Sequence, residues 1–431
     1  MVCCAEGWPD SPGRHYRRKA LRPPTLTAVL RRVLLSLLAA VAVLGLAMAG
    51  RVAWIGYGPQ PGPSVTADQV RFLHASIAAG DGARMQQLFP EGDFFLRALT
   101  AMAGAGTPSA DLGAVRALRD SLDAPESLAV FGSGMVPEHG IFQAGWALAV
   151  AVDLARASGD PADREDVRRR ARTVETALRG SAAGFLQSYP GQYWPCDTVV
   201  AAGALTDAAV LLDQPDWLAT VRAWRAQAQR FADPATGLLP HRVDGEGRSL
   251  EGPRGSSQSV IQAFWPMVDR GLDGRQDLES WSAFRREFLV REAGLVGVRE
   301  YPRGTDGRGD VDSGPLLLGV SASASTITLA AARANGDPAL AEDLSREAEL
   351  LGLPTAWGGQ RRYALGILPV GDAFLAWART RTAAEPLPAD VDPEAGRPWW
   401  PAFAVPFLVP VAVLVAVGLP HWPRARRGAA G

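Results

Sequence analysis

Lysine is almost absent from this chain, and cysteine and histidine are scarce. Lys19 is the only lysine among 44 basic residues, which 45 acidic residues balance to a net charge of −1. A net charge this close to zero gives no indication of a polyanionic partner. The middle of the chain also lacks an arginine cluster with interleaved aromatic residues, so we expect no nucleic-acid-binding surface.

The few cysteines exclude several kinds of site. Cys3 and Cys4 lie near the N-terminus, and Cys196 stands alone in the middle of the chain, where it has no partner for a disulfide. The patterns CxxC and HExxH, the phosphate-binding loop and the dinucleotide-binding glycines are all absent from the sequence. We therefore predict neither a metal site nor a cofactor. We expect the fold to be stabilised by a hydrophobic core.

The chain does contain an uncharged apolar run near each end. The runs cover 33–50 and 399–419, close to the ~20 residues that a helix needs to cross a bilayer. Arg31 and Arg32 precede the first run, and further arginines follow the second. Positive charge stays in the cytoplasm, so both termini are predicted to be cytoplasmic and the main domain extracytoplasmic. An Ala-Met-Ala signal-peptidase site at 47–49 is the alternative, and cleavage there would leave the second helix as the anchor.

The two runs divide the chain into five predicted segments, with the cell membrane as the expected location. They are a cytoplasmic basic tail at 1–32, a transmembrane helix at 33–57, an extracytoplasmic domain at 58–398, a transmembrane helix at 399–419 and a cytoplasmic basic tail at 420–431. The middle segment is long enough for one large domain or two small ones.

The middle segment repeats a helical hairpin. In each copy an alanine-rich apolar helix is followed by a short acidic turn, often with proline, and then by a charged amphipathic helix. The apolar helices begin near Ile141, Thr198, Ser257 and Ser321, and a further one begins near Asp372. A helix that is apolar all round is buried, and one with a charged face borders water. Because a single hairpin cannot bury its own apolar helix, the hairpins must stack side by side.

This stacking predicts an all-α fold, an (α/α)6-type toroid of helical hairpins between an N-terminal and a C-terminal transmembrane helix. A helical pair near Ala67 and Gly82 would supply the missing members. An open solenoid is the alternative, because stacked hairpins need not close into a ring. Strand patterns are limited to short pieces near Leu295 and Tyr363.

Long connections lead from each amphipathic helix to the next apolar helix, whereas the turns inside the hairpins are tight. In a toroid the long connections lie at one end, and long connections between helices are commonly functional. The predicted catalytic residues in them are Asp197, Asp312 and Asp310. The predicted substrate-binding residues are Glu138, His139, Tyr193, Trp194, His241, Glu300, Tyr301 and Tyr363. Carboxylates and aromatic rings together suit a sugar, which is polar but has apolar faces.

The most prominent of these residues also have structural interpretations. Asp197 lies next to the expected start of a helix at Thr198, where an aspartate commonly caps the first turn. Asp310 and Asp312 lie between glycines, and a surface turn would explain them as well. Cys196 fits a buried inert thiol as well as it fits a nucleophile.

The hairpin alternation over residues 65–382 resembles the (α/α)6 toroid of several glycoside hydrolases and polysaccharide lyases. The segments 193–197 (Tyr-Trp-Pro-Cys-Asp) and 309–315 (Gly-Asp-Val-Asp-Ser-Gly-Pro) also resemble parts of the linalool dehydratase-isomerase-like group, which has the same toroid. No complete catalytic set of either group matches this chain residue by residue. We therefore carry over no catalytic residue, because a shared fold does not fix the function.

Three functions are compatible with these features. The first is a membrane-tethered, glycoside hydrolase-like enzyme that acts on a glycan or glycoconjugate, with Asp197 and Asp312 as its paired carboxylates and Asp310 as a substitute. In this hypothesis Tyr193, Trp194 and Tyr301 are stacking platforms.

The second function is a lyase or isomerase of the linalool dehydratase-isomerase type, with Cys196 or His139 as an acid–base group in an apolar pocket. The third is a non-catalytic scaffold that binds an envelope polymer or a membrane partner, with its carboxylates paired to Arg303, Arg361 and Arg362. The partners expected from the sequence are thus the membrane and a glycan.

Overall fold

The computed structural model describes residues 26–273, 278–292, 294–386 and 400–418, apart from the side chain of Ala28. Its contacts divide the chain into two units, one made of Met1–Arg51 with Phe403–Gly431 and one made of Val52–Ala402. The predicted tail at 420–431 and most of the predicted tail at 1–32 lie outside the described residues.

The described residues form sixteen α-helices. They are α1 (Leu26–Tyr57), α2 (Pro63–Ala78), α3 (Asp81–Leu88), α4 (Gly92–Ala105), α5 (Leu112–Ser121), α6 (Pro125–Leu128), α7 (Gly140–Ser158), α8 (Pro161–Gly180), α9 (Pro195–Leu212), α10 (Pro215–Ala228), α11 (Gly255–Asp273), α12 (Glu279–Phe288), α13 (Ala322–Ala334), α14 (Pro338–Leu351), α15 (Pro369–Thr380) and α16 (Trp400–Gly418). The helices predicted near Ile141, Thr198, Ser257 and Ser321 are α7, α9, α11 and α13, and each begins within three residues of its predicted position.

Both ends of the chain carry helices that could cross a membrane by length and composition. α1 contains a candidate span at Val29–Tyr57 with a mean hydropathy of 2.5, and α16 contains one at Trp400–Val417 with a mean hydropathy of 2.2. Few side chains in these spans are buried by the protein, as expected of helices whose apolar surface meets lipid. The helix Pro195–Leu212 is also long and apolar, but most of it is buried inside the domain, so it is a core helix.

The turns inside the hairpins follow from local sequence. Pro161, Pro215 and Pro338 begin α8, α10 and α14, at the position where the missing N–H of proline costs nothing. Asp160 caps α8 by accepting a hydrogen bond of 2.8 Å from the backbone N–H of Ala162. These local signals explain why the hairpins could be located from the sequence.

Six helices of the second unit pack as neighbours in a closed order. α4 contacts α7, α7 contacts α9, α9 contacts α11, α11 contacts α13, α13 contacts α15, and α15 contacts α4. Trp146 of α7, Phe264 of α11 and Trp377 of α15 meet in the core, with ring centroids 5.3–6.0 Å apart. The amphipathic helices α5, α8, α10, α12 and α14 each contact the apolar helix that precedes them, and α2 contacts α15.

The early part of the domain differs from the prediction. α2 and α3 are the helical pair expected near Ala67 and Gly82, but the buried helix that joins the set of six is α4. Ten of its residues are buried, from Gly92 to Gly104. α4 was not predicted separately, because its apolar residues follow α3 after only three residues and no acidic turn of the repeated kind precedes them.

Short strands are more frequent than the sequence indicated. The described residues contain β1 (Arg242–Val243), β2 (Ser249–Glu251), β3 (Leu289–Glu292), β4 (Leu295–Arg299), β5 (Leu316–Leu317), β6 (Val320–Ser321), β7 (Thr355–Trp357) and β8 (Gln360–Arg362). β1 pairs with β2, β7 pairs with β8, and a four-stranded sheet has the order β3-β4-β6-β5. The piece near Leu295 is thus a strand. The strand expected from Tyr363 onward is wrong, since β8 ends at Arg362 and a 3-10 turn occupies Ala364–Gly366.

Candidate functional site

The long connections and the N-terminal ends of several helices enclose a cavity of about 680 Å³. Its lining includes Trp194, Asp197, His241, Tyr301, Asp310 and Asp312, six of the eleven residues that the sequence singled out. A separate cavity of about 580 Å³ contains none of them. The first cavity is therefore the candidate site.

Asp197 lies in the first turn of α9 with a buried side chain. Its carboxyl accepts a hydrogen bond of 2.5 Å from the Ser188 hydroxyl, and the Cys196 thiol lies 3.6 Å from its other oxygen. Burial raises the pKa of Asp197 to about 7, and the nearby charges of Asp312 and Glu91 act in the same direction. The capping alternative is wrong, because Trp194 occupies the N-cap position of α9.

Asp312 and Glu91 complete a group of three carboxyls on the cavity wall. The side chain of Asp312 is exposed, and desolvation of its carboxyl by the surrounding protein raises its pKa to about 6, with the charge of Asp310 acting in the same direction. Burial raises the pKa of Glu91 to about 7, and the charge of Asp312 adds to this shift. Among the described residues neither carboxyl has a salt-bridge partner. We name Glu91, Asp197 and Asp312 the carboxyl cluster.

Asp310 has a different role in the same loop. It pairs with Arg254, and it accepts hydrogen bonds from the backbone N–H groups of Asp312 and Ser313 at 3.1 and 3.0 Å. Burial alone would raise the pKa of Asp310, but the Ser313 N–H and the Arg254 guanidinium hold it below its usual value. Asp310 therefore shapes the turn that carries Asp312. Because its pKa is lowered, Asp310 stays ionised at pH values at which the carboxyl cluster still holds protons.

His241 is the most deeply buried polar ring on the wall, with 5 % of its surface exposed. Burial lowers its pKa to about 4, and the positive charge of Arg254 contributes, so the imidazole is neutral at physiological pH. Its Nδ1 has no hydrogen-bond partner within the described residues. A buried polar atom without a partner is costly, so this nitrogen is available to a water or a ligand in the cavity.

Tyr301 lines the cavity, but its ring is not an open platform. The Arg254 guanidinium lies 5.1 Å from the ring centroid, and Gly307 packs so closely on the ring that a Cβ there would overlap it. Its hydroxyl donates a hydrogen bond of 2.9 Å to the carbonyl of Arg308. Trp194 is more available, since it contacts Tyr189 edge-on at 5.6 Å and stays partly exposed.

The other five predicted residues do not line this cavity. Glu138 and His139 bond within their own loop, to the N–H of Gly134 and the carbonyl of Gly132. Tyr193 forms a backbone bridge with the strand residue Val243. Their positions before an apolar helix were predicted correctly, but that position does not determine where a side chain points.

Glu300 and Tyr363 are buried in internal networks. Glu300 accepts hydrogen bonds from the N–H and the hydroxyl of Ser256, at 3.0 and 2.8 Å, and so supports the cavity wall from behind. Tyr363 bonds to Glu349 and Arg379 in a network that lies away from the cavity.

Glu91 is a site residue that sequence reasoning missed. It follows Pro90 and directly precedes α4, the position relative to a buried helix that the other candidates share. That signal was present, but it required recognising α4 as an apolar helix of the set. No family model matches this chain, and no curated protein is significantly similar to it, so the geometry of the site is the basis for any function.

Proposed function

We propose that this chain is a membrane-tethered enzyme whose extracytoplasmic domain is an (α/α)6 toroid that cleaves glycosidic bonds in a glycan or glycoconjugate. The observation that supports it best is the carboxyl cluster: Glu91, Asp197 and Asp312 share a cavity wall, and their pKa values are raised to about 7, 7 and 6. Raised pKa values in a cleft are typical of acid–base catalysts.

Glycoside hydrolysis needs one protonated carboxyl and one carboxylate on either side of the scissile bond. Asp312 lines the cavity with an exposed side chain, so we assign it as the carboxylate that acts as base or nucleophile. Asp197 is buried, which favours its protonated form, so we assign it as the acid that protonates the leaving oxygen, with Ser188 fixing the orientation of the carboxyl. The charge of Glu91 helps to keep the proton on Asp197.

The toroid is supported by the closed order of contacts among the six buried helices, with α15 beside α4. The pairing of α2 with α15 fits the same arrangement, because a helix from the start of the domain then accompanies a buried helix from its end. The membrane tether is supported by α1 and α16, and the orientation by the arginines that flank the apolar runs.

A lyase or isomerase of the dehydratase type is the second candidate. It is favoured by one observation, that the Cys196 thiol lies beside Asp197 on a wall with many aromatic residues. Burial raises the pKa of the thiol well above its usual value, so it stays protonated and serves only as an acid. Within the described residues Cys196 has no histidine partner, which makes a thiolate nucleophile the weaker hypothesis.

The scaffold alternative has less support. It expects arginines to neutralise the carboxylates, but Arg303 donates to the backbone carbonyls of Arg286 and Leu289, and Arg361 pairs with Glu349. These arginines are occupied elsewhere, which leaves the carboxyl cluster available for chemistry.

The test is a turnover screen with the full chain in lipid nanodiscs, against aryl glycosides and envelope and storage glycans. Asp312→Asn should lower kcat by about 100-fold or more, because a general acid or base contributes about 10²–10⁴-fold. Asp306→Asn is the matched control, since this exposed aspartate of the same loop pairs with Arg299 and lies outside the cavity. Equal turnover in both variants would contradict the proposal, and an unsaturated product would favour the lyase.

A further inference from the structure

Part of the cavity lining is a set of aromatic rings that contact one another, which we name the aromatic wall. Phe95 lies at its centre, with ring centroids 5.1 Å from Phe374, 5.2 Å from Phe142 and 6.3 Å from Phe89. Phe142 continues the surface to Tyr189 at 6.3 Å. These rings come from α4, α7, α15 and two connections, so they form a surface that only the folded domain assembles.

Aliphatic side chains also line the cavity. They are Val260 of α11 and Ile327 of α13, and neither carries a polar atom. Most of the charged lining, which includes Arg242, Arg254 and Asp310, comes from the long connections. The cavity therefore offers an apolar surface and a polar surface to the same ligand.

We propose that the substrate is an amphiphile, a glycolipid or lipid-linked sugar, whose alkyl or prenyl chain lies on the aromatic wall while its sugar meets the carboxyl cluster. This inference rests on the proposed function, because it assigns the polar part of the substrate to glycosidic cleavage. The bond that breaks joins the anomeric carbon to the oxygen of the leaving group, which takes a proton from Asp197. Water supplies the hydroxyl of the released sugar and gives its remaining proton to the carboxylates of the site, so that one water is consumed and the proton balance is kept.

A sugar alone is a poorer match for this wall. Its hydroxyls would lose water against Phe89, Phe95 and Phe374, and phenylalanine has no group that could replace those hydrogen bonds. An alkyl chain loses nothing there and gains from each methylene removed from water. The two candidate membrane spans would also keep this enzyme at the lipid bilayer, where such amphiphiles are found.

The experiment measures the dissociation constants of methyl, butyl and hexyl β-glucosides for the full chain in phosphatidylcholine nanodiscs. Binding to empty nanodiscs is subtracted. Burial of one methylene improves binding about three- to fourfold, so the dissociation constant should fall about tenfold from butyl to hexyl. A dissociation constant that does not change with chain length would overturn the inference.

Phe374→Ala tests whether the chain binds at this wall. This partly buried phenylalanine lines the cavity. Its loss should reduce the chain-length effect, which is the ratio of the dissociation constants of the butyl and hexyl glucosides, at least twofold. Phe231→Ala is the matched control, because Phe231 is equally partly buried but packs on Phe185, away from the cavity. The same reduction in both variants would overturn the inference. If Phe374→Ala does not fold, Phe89→Ala replaces it.

The binding assay does not require turnover, so the two proposals can fail separately. A chain-length effect without hydrolysis of any glycoside would refute glycosidic cleavage and leave the chain-binding wall in place. Hydrolysis without a chain-length effect would refute the amphiphilic substrate and leave the hydrolase.

Discussion

Replacing Asp197 by asparagine should stabilise the protein at alkaline pH, although it removes a proposed catalytic group. Burial raises the pKa of Asp197 from 3.8 to about 7, so the folded state holds this proton more tightly than the unfolded state. Ionisation of Asp197 therefore lowers the free energy of unfolding. This effect is absent below about pH 4, grows between pH 4 and pH 7, and is constant above pH 7. A shift of about three units corresponds to about 4 kcal/mol at pH 8 and about 2 kcal/mol at pH 5.

Asparagine keeps an oxygen that can accept the Ser188 hydroxyl and never ionises, so the variant lacks this penalty. Thermal unfolding of the full chain in nanodiscs between pH 5 and pH 8.5 measures the difference. Asp197→Asn should melt higher than the wild type at pH 8, with a smaller gap at pH 5. Asp120→Asn, at an exposed helix position, should show no such trend. A variant that melts lower at pH 8, or a gap independent of pH, would mean that Asp197 is ionised and held by its surroundings.

Two further predictions concern the membrane orientation and the packing of the buried helices. Reporter fusions at both termini should be active only in the cytoplasm, and one inserted at residue 250 only outside; a C-terminal reporter active outside would refute the two-span orientation. Gly145→Ala should cost about 1–3 kcal/mol of unfolding free energy, because its Cβ would lie 2.9 Å from the Cβ of Ala201 where α7 meets α9. Gly180→Ala is its control, since open space surrounds that position, and equal chemical denaturation of the two variants would contradict this account of the contact.

The hairpins could be predicted because their signals are local. α7 is apolar all round and α8 has one charged face, and Asp160 and Pro161 mark the turn between them. Each signal spans a few residues and acts through local backbone geometry, which does not depend on the rest of the fold. The same reasoning predicted the apolar helices near the two ends of the chain, where length and hydropathy alone indicate a helix that could cross a bilayer.

The short strands could not be predicted in the same way. β5 and β6 have two residues each, and β4 pairs with β6 across a connection of twenty residues. Strands this short have no alternation to detect, and their pairing depends on where the folded helices place the two segments. The segment that begins at Tyr363 shows the opposite error, a strand that was predicted but does not form. Its apolar residues resemble a strand, but they form a tight turn with Leu365 at a positive φ.

The site could be predicted as a region but not residue by residue. The long connections were expected to bring Asp197, Asp312 and His241 together, and these three residues line one cavity. Whether a side chain reaches the cavity depends on the turn that holds it: Asp312 lines the cavity, whereas Glu138 accepts a hydrogen bond from the N–H of Gly134 in its own loop. Such choices depend on tertiary partners far away in sequence.

Asp197 illustrates why the environment outweighs the local position. A carboxylate in the first turn of a helix gains about 0.3–1 kcal/mol from the helix dipole, which would lower its pKa by less than one unit. Asp197 lies in the first turn of α9, yet its pKa is raised by about three units, so burial and the neighbouring carboxyls exceed the dipole several-fold. Stability alone would favour a neutral side chain here. A buried acid that the fold holds against this cost, on the same cavity wall as Asp312, supports our proposal of a reaction that uses its proton.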